Sequence, residues 1–86
     1  MLFRSKITPV GVNPDWWATS LLPEGLLERW EQCDRAFVEE GQPLAAIRIE
    51  GALHELTSPA SGWLTIESRA NSPVEPGSVI GRIEQT

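Results

Sequence analysis

The chain has 86 residues, so it forms one domain at most, spanning 1–86. A domain of that size buries about 60 to 65% of the surface its unfolded chain exposes, which leaves little room for an enclosed active-site pocket. With 41% apolar and 22% charged residues the composition excludes a disordered chain, and a net charge of −5, its few cations scattered singly, excludes the cationic footprint that nucleic acid requires. One cysteine, Cys33, and one histidine, His54, exclude an internal disulfide and leave no set of metal ligands.

No stretch approaches the roughly 18 apolar residues of a membrane span, and the start, Met1 to Lys6, lacks a signal-peptide core. These features lead us to expect a cytoplasmic protein that binds neither membrane nor nucleic acid.

Short strands are predicted at intervals of about ten residues. The first is Phe3 to Ile7. An extended loop over 11–24 follows; its Asn13-Pro14-Asp15 is turn chemistry, and Trp16-Trp17 come directly after. These tryptophans read either as a lid folded over a small core or as a binding feature, with at least one partly exposed. Glu24 to Phe37 offers one helical turn of apolar residues, but the pattern fades at Gln32-Cys33-Asp34, and a strand over Gly25 to Trp30 is the more economical account. Phe37-Val38, Leu44 to Ile49, Ala52 to Leu56, Gly62 to Glu67 and Val79 to Glu84 complete the set. Between the fourth and fifth strands Glu50-Gly51 makes a tight two-residue turn, because glycine accepts the positive φ that such turns require.

The strands contain a repeat. Val38, Gly41, Leu44 and Ile47 recur as Val74, Gly77, Ile80 and Ile83, each 36 positions on. Upstream, Pro23-Glu24-Gly25-Leu26-Leu27 is echoed by Pro59 to Leu64 with one residue of slippage. Two copies are too few for a solenoid and point to a small all-β domain with internal two-fold symmetry.

Taken in order, Glu24 to Trp30, Cys33 to Leu44 and Ser58 to Gly62 resemble the biotinyl/lipoyl-domain family, over about Gly25 to Ile83. Trp30 and Gln42-Pro43-Leu44 resemble the lipoyl domains of 2-oxo acid dehydrogenase acyltransferases more than biotin carriers, and the methionines that flank a biotinyl lysine are lacking. The resemblance implies a flattened β-barrel or sandwich of two four-stranded antiparallel sheets with quasi two-fold symmetry, a barrel-sandwich hybrid. It also implies a lysine at the hairpin tip, acylated by lipoate or biotin to form a swinging arm.

The position matching that lysine is Gly51, flanked by Glu50 and Ala52, and the only lysine in the chain is Lys6. Glycine has no side chain to acylate, so no cofactor is expected at the tip. Two smaller departures are Cys33, where the family carries a turn glycine, and the long linker. In the family that linker lies beside the modified turn, which would bring Trp16, Trp17 and Asp15 next to Glu50-Gly51 as contacts for a protein partner or small ligand.

The expected function is that of a non-acylated interaction or accessory module, not an enzyme, serving a 2-oxo acid dehydrogenase or biotin-dependent carboxylase component. The alternative is a carrier modified by lipoate or biotin at Lys6. A third reading is a purely structural role through self-association of the edge strand Phe3 to Ile7. His54 reads as an ordinary edge residue, Cys33 as a partly buried turn residue, and Asp34 as a turn cap bonding backbone N–H groups.

Overall fold

The computed structural model of the chain describes residues 6–85. Glycine and proline interrupt the chain before any apolar run can reach helix length, and the segments between these breaks pair into eight strands. They are β1 Lys6–Gly11, β2 Gly25–Trp30, β3 Phe37–Val38, β4 Pro43–Ile49, β5 Ala52–Thr57, β6 Gly62–Ile66, β7 Ser72–Val74 and β8 Val79–Gln85. All pairings are antiparallel, in two four-stranded sheets ordered β1-β8-β6-β3 and β5-β4-β2-β7. The sheets stack as a flattened sandwich and do not close into a barrel: each strand order ends in two edges.

Exchanging β3 with β7, β4 with β8, β5 with β1 and β2 with β6 turns one sheet order into the other, so the repeat is a spatial two-fold. Its turns match bond for bond. Gly41 and Gly77 have φ of 86° and 82°. The Glu39 N–H donates to Gln42 Oε1 (2.9 Å), as the Glu75 N–H donates to Ser78 Oγ (2.8 Å). Each turn also ties its glycine N–H to a neighbouring segment, Gly41 to the Ser58 carbonyl and Gly77 to the Val12 carbonyl. Arg35 and Asn71, left-handed turn residues both at φ 70°, also lie one repeat apart.

The core lies between the sheets. Val38 and Val74, Leu44 and Ile80, and Ile47 and Ile83 are all buried, joined by Leu27, Leu64, Val10 and Val12. Full burial of such a side chain is worth about 1.5–3 kcal/mol, and here it is spread evenly over both copies. In β4, Ala45, Ile47 and Ile49 face inward as alternation requires. Ala46 on the outer side is buried too, because β4 is a central strand with β2 and β5 on either side.

Three differences from the sequence reading exceed a single residue at a strand end. The first strand runs from Lys6 to Gly11, beyond the expected end at Ile7; residues 3–5 of the expected span lie outside the described residues. Pro9 and Gly11 mask this strand in the sequence, yet Pro9 is tolerated because β1 is a sheet edge and Val10 is buried beneath it. β7 supplies the eighth strand that two four-stranded sheets require but that the strand pattern does not locate. It has three residues with Pro73 in the middle, again on an edge. The loop over 11–24 contains a single 3₁₀ turn, Pro14–Trp17. No helix among the described residues is long and apolar enough to cross a membrane.

Candidate functional site: the hairpin end

At one end of the sandwich β4 turns into β5 through Glu50 and Gly51, with Ile49 paired to Ala52. Both turn residues have positive φ, 48° and 85°, as the two-residue type I′ turn demands of its central pair. The turn is anchored from below. Arg48 donates from Nη1 to the Gly51 carbonyl (3.2 Å) and, through Nε and Nη2, grips both carboxylate oxygens of Glu28 on β2 (2.6 and 3.1 Å). That bidentate hydrogen bond holds the Glu28 carboxyl below the usual carboxylate range and raises the Arg48 guanidinium in return.

Glu50, Gly51 and Ala52 are exposed, and a Cβ built on Gly51 meets nothing within 4 Å. There is room for a side chain at the tip, but neither turn residue carries an amine. Lys6 lies at the other end. It pairs with Gln85 as Ala52 pairs with Ile49, and Gln85 is one repeat beyond Ile49, so Lys6 occupies the two-fold counterpart of Ala52.

The linker folds onto the hairpin end. Asn13 caps the 3₁₀ turn, its Oδ1 accepting the Asp15 N–H (3.0 Å), and Pro14 stands at the first position, where no N–H is needed. The turn sends the two tryptophans in different directions. Trp17 enters the core, 7% exposed, its Nε1 donating to the Glu24 carbonyl (3.1 Å) and its ring packed so closely on Gly25 that a Cβ there would come within 2.8 Å. Trp16 stays half-buried and stacks on His54 of β5, ring centroids 5.0 Å apart and planes 19° from parallel.

The two rings therefore part: Trp17 folds over the core as a lid would, and Trp16 is left partly exposed. Trp17 is a core plug and is corrected as a contact residue, since a buried indole cannot meet a partner. Trp16 and the exposed Asp15 remain at the surface beside the hairpin strand.

His54 is the residue sequence reasoning placed but did not connect. It sits on an edge strand as expected, yet its face-to-face partner is 38 positions away in the chain, and no local pattern signals such a contact. Leu21 and Leu22, on the same linker, are 95% and 56% exposed, the least covered large apolar residues at this end of the loop. Cys33 is exposed, not partly buried as the sequence suggests, and follows the bend at 31–32. Asp34 caps as expected, but across the sheet: its Oδ1 accepts the Ile66 N–H of β6 (2.8 Å).

Among the described residues no three His, Cys, Asp or Glu side chains come together as a metal group. An open groove of about 430 Å³ lies on the outer face of the β1-β8-β6-β3 sheet, away from the hairpin. What the hairpin end presents is a rigid turn with one carboxylate, a stacked indole–imidazole pair and a leucine-bearing loop. The sequence matches no family model and no curated protein.

Proposed function

We propose that this protein is a non-acylated interaction module of the biotinyl/lipoyl type, which binds a protein partner through its hairpin end. The observation that carries the reading is the tip itself. The tightly anchored type I′ turn bears Glu50 and Gly51, at the position that the resemblance assigns to an acylated lysine. Beside it Trp16, held flat against His54, offers a pre-ordered aromatic surface, and Asp15 and Glu50 supply acidic groups around it. Tryptophan contributes large contact area for little lost rotamer freedom, which is why such rings anchor interfaces. The partner class, a component of a 2-oxo acid dehydrogenase or biotin-dependent carboxylase, follows from the resemblance.

Titration calorimetry of the purified protein with such components from its host tests this reading. Binding is expected, and Trp16→Ala should weaken it tenfold or more, about 1.4 kcal/mol, without lowering the melting temperature by more than a few degrees. Undiminished binding by the variant would count against the hairpin end as the contact surface. The intact mass of protein purified from that host separates the second reading: an added lipoyl or biotinyl group on Lys6 would make the domain a carrier after all.

A further inference from the structure

The outer faces of the two sheets are related by the internal two-fold but carry different chemistry. On the β1-β8-β6-β3 sheet the cross-strand register lines up Ile7, Glu84, Trp63 and Phe37 in one row. The next row, two residues along, contains Pro9, Arg82 and Thr65. Ile7, Phe37 and Trp63 are 56%, 53% and 50% exposed, and the two aromatics support each other edge to face at 5.3 Å. Beside them lies the open groove, lined by Trp63, Thr65, Arg82, Glu84 and Arg35. An exposed indole, an exposed phenyl and arginines on one flat face are the composition of an interface core, not of ordinary surface.

The rows also state what would cover them. A two-fold axis lying in the plane of this face, across the strands and midway between the rows, lays each column of a second copy on itself with the rows exchanged. Glu84 then opposes Arg82 of the other copy twice over, Ile7 meets Pro9, Trp63 meets the Thr65 methyl, and Phe37 meets the Arg35 guanidinium. Every group finds a partner of fitting chemistry, and the symmetry closes at two.

The same operation on the opposite sheet fails. There Leu53 would meet Glu55 and Arg48 would meet Ala46, and Arg48 is already engaged by Glu28. Arg82 pairs with Glu67 at 3.0 Å, but both side chains are exposed, and such a pair is worth little enough to be shared.

We propose that the outer face of the β1-β8-β6-β3 sheet binds a second copy of this chain, forming an isologous homodimer by aligned sheet-on-sheet packing. This surface is distinct from the hairpin end, so the two readings stand or fall separately.

Sedimentation velocity from micromolar to millimolar concentration reads the outcome. The wild type should move from monomer to dimer. Arg82→Glu and Glu84→Arg should each remain monomeric, because like charges then face each other across the axis and weaken association tenfold or more. An equimolar mixture of the two variants should dimerise again, since one copy then presents two glutamates and the other two arginines. A wild type that stays monomeric at millimolar concentration overturns the proposal. So do single variants that associate as the wild type does, or a mixture that fails to recover.

Discussion

Adjacent side chains with opposite fates are the clearest case at the scale of single residues. Trp16 and Trp17 share a 3₁₀ turn, yet one ring is core and the other is only half-buried against it. Trp17→Ala should destabilise the domain by about 3–5 kcal/mol, the range for emptying a buried aromatic site, whereas Trp16→Ala should cost about 1 kcal/mol or less; urea denaturation measures both. Glu28 gives a pH dependence of defined sign. Its folded-state value lies below the ordinary one, so the unfolded chain takes up the proton first. The pair's contribution is complete above the ordinary carboxylate range and is lost as pH falls through the folded value. Melting temperature followed down through that acid window should drop less steeply in Glu28→Gln than in the wild type.

At the scale of elements the governing fact is that each turn of the repeat needs a left-handed residue at one position. Gly41 and Gly77 stand there with nothing within 4 Å of a Cβ, so substitution by alanine is opposed by backbone conformation alone. Gly41→Ala and Gly77→Ala should each lower stability by about 1 kcal/mol, some 4–8 °C in melting temperature, and the double variant by the sum. Unequal losses would show that the two copies are not mechanically equivalent.

The repeat was legible because glycine at fixed spacing records a backbone requirement directly, and so was the Glu50-Gly51 turn. β7 was hidden because a three-residue segment with Pro73 at its centre has only Val74 to favour a strand; pairing with β2 makes it one. The stack of Trp16 on His54 was hidden for a related reason. It is a tertiary contact between residues that are each unremarkable in their own segments.

At the scale of the whole molecule, internal symmetry in the backbone and asymmetry in the side chains divide the labour. The backbone two-fold fixes two equivalent sheets and two equivalent ends. Side chains then distinguish them: aromatic residues and the alternating Arg82 and Glu84 on one sheet face, Arg48 clamped by Glu28 on the other, Trp16 and His54 at one end only. The pairing of Lys6 with Gln85 has a topological consequence. β8 and β1 pair as the two arms of a hairpin do, standing where the symmetry places a second copy of the β4–β5 pair. A two-residue bridge from Gln85 to Lys6, with the chain opened between Glu50 and Gly51, would give a circular permutant that begins at β5 and ends at β4. Every strand neighbour would be kept and the two halves would trade places in the order of synthesis.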